Sequence, residues 1–326
     1  MFKNILFYGL LLTIIVFFAV GAVNARSVEA GPSVAVSVAP QKYAVEKIAG
    51  NGVDCVVLVP AGADPHTYEP KPSQVSRLAG ADLYLSIGLE FEKAWLGRLA
   101  GVNPNLLVLP MNARLESPEE HAHGEQPGHV EEIGDVHHEH GEHGEHGELA
   151  EEAEHAEHHH HHHGMDPHIW TSPAGMRQMA LNTLAALERV DPANTETYKT
   201  NCDAFVAEID ALDARLQRLF ADVPAERRVF LVFHPAWGHF AKAYGLTQLA
   251  IEVEGKEPGP RELAKIIDES REHGVRAVFI QPQMSQRTAQ SVADAVDASV
   301  IEADPLALDW GANLVSVAER FRNAMK

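Results

Sequence analysis

Short apolar runs alternate with amphipathic stretches along most of this chain, and that alternation sets the fold class. Residues 33–39 form a β-branched run, followed by a helical segment to Gly50 and an apolar strand over 53–59. A helix is predicted near 73–79, a strand at 82–87, a helix at 90–99 and a strand at 106–110. Strands taken in turn with amphipathic helices make βα units, which assemble a mainly parallel sheet covered on both faces. The expectation is one α/β lobe over residues 32–172.

Pro173 opens a helix that runs to Val190, proline in the first turn being a start signal. A second helix follows Asp191-Pro192 and reaches about Phe220, with Phe205, Ile209, Leu212, Leu216 and Leu219 at helical spacing. Strands then return at 229–233, 246–253, 275–280 and 299–303, and a last helix covers 313–325. The predicted architecture is two α/β lobes, the second over 191–326, joined by one long helix at 173–190. Ligands in such folds sit outside the carboxyl ends of the strands, and a cleft between lobes is a common site.

One stretch breaks the pattern. Residues 116–166 hold fifteen histidines and sixteen carboxylates and no lysine or arginine. The stretch repeats Gly-Glu-His triplets and ends in six consecutive histidines. It cannot bury enough apolar surface to offset its ordering entropy, so it is predicted to be disordered when free of metal. A solvated acidic linker is the plain reading of such a charge run. Imidazole alternating with carboxylate points instead to metal collection, because imidazole is a borderline ligand available near neutral pH. The residues concerned are His137, His138, His140, His143, His146, His155, His158, His159, His160, His161, His162 and His163. They predict additional, weaker metal ions. The six-histidine run is internal and flanked by the same composition, so it reads as native.

The formal net charge is −20, and the sixteen acidic groups of this stretch account for most of it. The rest is near balance, which argues against nucleic acid as a partner. Lys3, an apolar run over 5–23 and Val23-Asn24-Ala25 describe a secretory signal peptide, 1–25, cut after Ala25. A retained membrane anchor is the other reading, since the run nearly spans a bilayer. Export into a bacterial periplasm as a soluble monomer, with no membrane insertion after cleavage, is the expectation. Cys55 and Cys202 are the only cysteines. Nothing in the sequence brings them within disulfide reach, so free thiols are expected.

Four positions carry candidate chemistry, each just after a strand or at the edge of the histidine-rich stretch. His66 lies in Asp64-Pro65-His66, His168 in Asp166-Pro167-His168, His234 in Phe233-His234-Pro235, and Asp304 in Ala303-Asp304-Pro305. The prolines stiffen the backbone beside the side chains. Each histidine alone reads more readily as a hydrogen-bonded structural residue. Together, three nitrogens and one carboxylate suit tetrahedral Zn²⁺ and leave no open position for water, which favours binding over hydrolysis.

With these residues in view, the chain resembles the metal-specific solute-binding proteins of ABC transporters, in particular the periplasmic zinc-uptake type. The matching stretches are 62–72, 166–173, 232–246, 254–263, 278–284 and 304–306. The resemblance implies two lobes joined by a long rigid helix, with His66 and His168 from the first lobe and His234 and Asp304 from the second. It also implies a histidine-rich acidic loop between the first two ligands and a membrane permease as partner. Pro65 stands where some zinc members carry glutamate, and His239 where an aromatic residue is more usual. His239 is expected to be structural. Tyr68, Glu69 and Trp170 border the ligands and are candidates to orient them. Uptake of Mn²⁺ or Fe²⁺ is the nearest alternative, against which His234 speaks. A periplasmic metal buffer is a second, and a metallohydrolase a third that lacks a His-Glu-x-x-His helix.

Overall fold

The computed structural model describes residues 31–113, 166–253 and 255–326. The predicted signal segment and the histidine-rich stretch up to Met165 lie outside the described residues.

Eight short strands fall into two sheets of four, all parallel. In the first, β1 (Ser33–Val36), β2 (Asp54–Val57), β3 (Leu83–Ser86) and β4 (Leu107–Pro110) take the order β2-β1-β3-β4. In the second, β5 (Val229–Val232), β6 (Thr247–Ala250), β7 (Ala277–Ile280) and β8 (Ser299–Glu302) take the order β6-β5-β7-β8. The two orders are the same, so each sheet reverses its winding direction beside its first strand. Such switch points are where open α/β sheets bind ligands. Each strand lies inside the apolar run that predicts it and is shorter than that run.

The first sheet is packed by α1 (Ala39–Ala49), α2 (Pro72–Leu78) and α3 (Glu90–Val102). The turn before α3 is fixed by Glu92. Its buried carboxylate accepts the N–H groups of Ile87, Gly88 and Leu89, the last at 3.1 Å, and the hydroxyl of Ser37. Burial pushes the Glu92 carboxyl above its usual range, and these donors oppose that rise.

Helix α4 (Pro173–Val190) has the predicted bounds, starting at Pro173 behind a Ser172 Oγ that accepts from Gly175 N. Its role differs from the expectation. It packs on α1 and β3, and Asn182 ties it to the carbonyls of Met111 and Ala113, so it belongs with the first lobe. The helix that spans both lobes is the next one, α5 (Thr195–Phe220), about 39 Å long at 1.5 Å per residue. Its first half meets α1 through Tyr43 against Phe205 and through Asn201 Nδ2 on Ile48 O. Its second half meets α6 (Gly238–Tyr244) and α9 (Trp310–Ala324), where Phe220 packs on Phe240 and Arg215 pairs with Glu319.

One continuous apolar core follows from this. It runs from Val34, Leu83 and Tyr84 through Phe205 and Leu216 to Phe230, Phe279 and Phe321. The far face of the second sheet has its own smaller core under α7 (Pro260–Glu272) and α8 (Gln286–Ala295), built on Leu231, Val278 and Val292. Cys55 and Cys202 are both free, and burial pushes their thiols up to about 12 and about 11, so neither offers a thiolate.

Phe321 is fully buried, stacked on Phe230 at 4.3 Å and edge-on to Phe279 at 4.6 Å and Phe240 at 5.6 Å. Phe321→Ala is expected to lower unfolding free energy by about 3–5 kcal/mol, the range for emptying a buried aromatic site. Denaturant unfolding of the metal-free protein checks this; a loss under 1 kcal/mol would show that the second half of α5 is not anchored through this cluster.

Candidate metal centre

All the candidate ligands emerge at the carboxyl edges of the two sheets. His66 follows β2, His168 precedes α4, His234 follows β5 and Asp304 follows β8. Three of the four come together. One ring nitrogen from each of His66, His168 and His234 lies within 4.8 Å of the others. His66 Nε2 is 3.1 Å from His168 Nε2, which is 3.4 Å from His234 Nε2.

The reason the rings converge lies on their other side. Each Nδ1 faces a carboxylate: Glu90 Oε2 at 3.0 Å from His66, Asp166 Oδ1 at 2.7 Å from His168, and Glu252 Oε2 at 2.5 Å from His234. An ionised carboxylate only accepts, so each Nδ1 carries the proton and donates. Three Nε2 lone pairs are then left pointing at one another. Lone pairs at 3.1–3.4 Å repel unless a cation stands between them. Zn–N bonds of 2.0–2.1 Å in a tetrahedron place neighbouring nitrogens about 3.3–3.4 Å apart, so these two separations are close to what a shared ion would require.

His168 is the buried centre of the set. Burial holds its imidazole below the usual histidine pKa, ahead of the opposing influence of Asp166. Burial alone would raise Asp166, but the hydrogen bond and charge of His168 hold its carboxyl below the usual range. Glu90 is likewise held low, its own burial outweighed by a backbone hydrogen bond and by His66.

The repeated Asp-Pro-Xaa sequence proves to be a turn with the aspartate capping the residue two places on. Asp64 Oδ1 accepts from His66 N at 3.0 Å, Asp166 Oδ1 from His168 N at 3.0 Å, and Asp304 Oδ1 from Leu306 N at 2.8 Å. The Asp304 carboxylate is outside the set of mutually close ligand atoms. Burial raises its pKa, the Leu306 hydrogen bond opposing. Of the four candidate ligands, the structure thus gathers the three histidines and does not bring the Asp304 carboxylate among them.

The three groups that orient the imidazoles are not those expected. Tyr68 donates its hydroxyl to Gln74 at 2.5 Å, and Glu69 is exposed. Trp170 does border the site, fully buried with its ring edge-on to His168 at 5.3 Å and its Nε1 on Pro305 O. Glu90, Asp166 and Glu252 do the orienting. Of these, Asp166 had a readable signal in its tripeptide, whereas Glu90 and Glu252 depend on pairings distant in sequence. His239 is structural as expected: its Nε2–H donates to Asp166 O at 3.1 Å, tying α6 to the His168 segment.

Carboxylate partners of metal-bound histidines typically matter by 10–100-fold in affinity. Glu252→Gln is therefore expected to weaken Zn²⁺ binding by about 10-fold or more while leaving metal-free unfolding nearly unchanged. Chelator-competition titration reads the first and denaturant unfolding the second; unaltered affinity would remove Glu252 from the site.

The comparisons with known proteins bear on this geometry. The family described as "ZnuA: Zinc-uptake complex component A periplasmic" matches residues 34–320. The high-affinity zinc uptake system protein ZnuA of Paracoccus denitrificans is 38% identical over 240 residues, covering 72% of this chain and 71% of that protein. The protein of the same name from Bacillus subtilis is 30% identical over 256 residues, covering 75% and 69%. A manganese ABC transporter substrate-binding lipoprotein, PsaA of Streptococcus anginosus, is 26% identical over 249 residues, covering 76% and 71%. A solved structure described as "Crystal structure of ZnuA" superposes with a TM-score of 0.73 at 34% identity, covering 91% of this chain and 100% of that one.

Proposed function

This chain belongs to the ZnuA family of metal ABC transporter solute-binding proteins, and on that premise we propose that its cargo is Zn²⁺, captured in the periplasm and handed to a membrane permease. The family binds and delivers; it is not an enzyme family. The observation that supports the zinc reading is three imidazole nitrogens gathered within 4.8 Å of one another, with the Nδ1–H groups committed to carboxylates. Neutral imidazole favours Zn²⁺ over Mn²⁺, which prefers oxygen donors. A manganese-binding relative exists, but a third nitrogen from His234 points away from that ion.

In this reading His66, His168 and His234 hold the ion and Asp304 supplies the fourth donor. Four protein ligands leave no position for an attacking water, so the site holds the ion without activating anything. Among the described residues no helix is long and apolar enough to cross a membrane. Export and the monomeric state rest on the sequence, as does metal collection by the histidine-rich stretch.

Metal analysis of the protein purified from periplasm, beside His234→Ala, tests the assignment. The wild-type protein is expected to carry Zn²⁺ and the variant to bind it at least about 100-fold more weakly, a larger loss than the 10–100-fold typical of removing only a partner behind a ligand. Manganese in the wild-type protein, or unchanged affinity in the variant, would overturn it.

Proton competition gives a second outcome. The ligands must be neutral to bind, and the reference histidine pKa is about 6.5. His168 is already held below that value by burial, so it stays neutral to lower pH than a free histidine. Zn²⁺ affinity should therefore fall progressively as the pH drops from 7 to 5. A flat titration down to pH 5 would rule out a three-histidine site.

The histidine-rich stretch should add sites without contributing to the tight one. Deleting residues 116–163 is expected to leave one tight Zn²⁺ and remove the weaker ions, because a chain that must be ordered on binding gives weaker sites than a preformed one. Calorimetric stoichiometry decides this; loss of the tight site in a folded deletion would make that stretch a primary ligand source.

A further inference from the structure

The carboxyl edge of the second sheet carries one buried polar side chain that the three-histidine site does not use. Gln281 directly follows β7, the strand between β5, which leads to His234, and β8, which leads to Asp304. Backbone pairing keeps the three chain ends side by side beyond the strands. Phe233 N donates to Phe279 O at 2.8 Å and Ala303 N to Ile280 O at 2.9 Å. Gln281 is only 5% exposed, and its Nε2 has no acceptor among the described residues. A buried amide NH₂ without an acceptor is costly and asks for an explanation.

The adjacent chain end holds the converse. The Asp304 carboxylate can accept about four hydrogen bonds, yet among the described residues only Leu306 N donates to it. Asn313 Nδ2, the other amide nearby, is taken by the Asp304 main-chain oxygen at 2.7 Å. A donor without an acceptor and an acceptor with spare capacity thus follow two neighbouring strands at their carboxyl ends.

We propose that the Gln281 side-chain amide is the positioning donor for Asp304, holding one carboxylate oxygen while the other meets the cargo ion. The proposal rests on the reading of Asp304 as the fourth ligand. It completes a consistent arrangement. Each histidine ligand is oriented by an anion, which strengthens a neutral donor. Asp304 is oriented by a neutral amide, which leaves its negative charge for the dication. Occupying one oxygen also keeps the carboxylate from chelating through both. That holds the coordination number at four, the zinc preference, rather than the higher numbers that oxygen-preferring ions take. Gln281 is therefore a selectivity device as well as a positioning one.

A double-mutant cycle tests this with Gln281→Met, which keeps the length and removes the donor, and Asp304→Ala. Chelator competition measures Zn²⁺ and Mn²⁺ affinity for the wild type, each single variant and the pair. Gln281→Met is expected to weaken Zn²⁺ about 10-fold, to leave Mn²⁺ unchanged or tighter, and to cost nothing further once Asp304 is alanine. The d–d absorption of the Co²⁺-loaded Gln281→Met protein is expected to lose intensity as the coordination number rises, a change that a purely structural role would not produce. An equal Zn²⁺ loss with and without Asp304, or a parallel loss for both metals, overturns the proposal. If Asp304→Ala alone binds Zn²⁺ like the wild type, the four-ligand reading fails and takes the proposal with it. Metal-free melting checks folding, and Gln281→Leu runs the same cycle if the methionine variant does not fold.

Discussion

The structure depends on holding three imidazole lone pairs against one another. Nothing in the metal-free protein makes that arrangement favourable by itself. Three carboxylates fix the tautomers from behind, and the backbone of both lobes fixes the positions. The repulsion among the Nε2 atoms is then relieved by the cation that the site is built to accept. Binding energy that would otherwise be spent on ordering ligands is available as affinity, because the three rings are already gathered with their nitrogens within 4.8 Å of one another.

That preorganisation requires two sheets to keep their separation, and α5 with the shared core supplies the constraint. His66 follows a strand of the first sheet and His234 a strand of the second, so any lobe rotation would change their separation. Large hinge closure needs residues that absorb φ/ψ change. Here the lobes are joined through buried side chains of a single helix, Phe205 at one end and Phe220 at the other. The second link is local to the site: Trp170 Nε1 donates to Pro305 O at 2.8 Å and Trp310 Nε1 to Trp170 O at 2.6 Å. These bonds clamp the His168 segment to the turn that carries Asp304. Movement at the site is therefore reduced to side chains.

The sequence made the architecture legible because βα alternation is a local signal, and each of the strands described lies within the apolar run that predicts it. The bounds of α4 were legible too, from Pro173 and the residues that follow. Its neighbours were not: which of two consecutive amphipathic helices bridges the lobes depends on what each apolar stripe meets across the fold. The three histidines stood out because proline flanks each of them and a strand or loop end precedes them. Their partners Glu90 and Glu252 carried no such mark. Each is an ordinary acidic residue until the parallel register brings its strand end beside another, and sequence separation hides that pairing.

The Asp-Pro-Xaa turns show how one local device yields two kinds of ligand. Asp64, Asp166 and Asp304 make the same hydrogen bond to the second residue on. Where that residue is histidine, the aspartate is a support and the imidazole meets the ion. Where it is Leu306, no imidazole is presented, and the aspartate itself is the only group at the turn able to donate to a metal. The first two turns make rigid ligands, since the capping bond fixes the backbone immediately before the ring. In the third, the capping bond engages one carboxylate oxygen and leaves the other without a donor among the described residues. The same turn therefore rigidifies the backbone before an imidazole in two places and leaves an accepting carboxylate oxygen in the third.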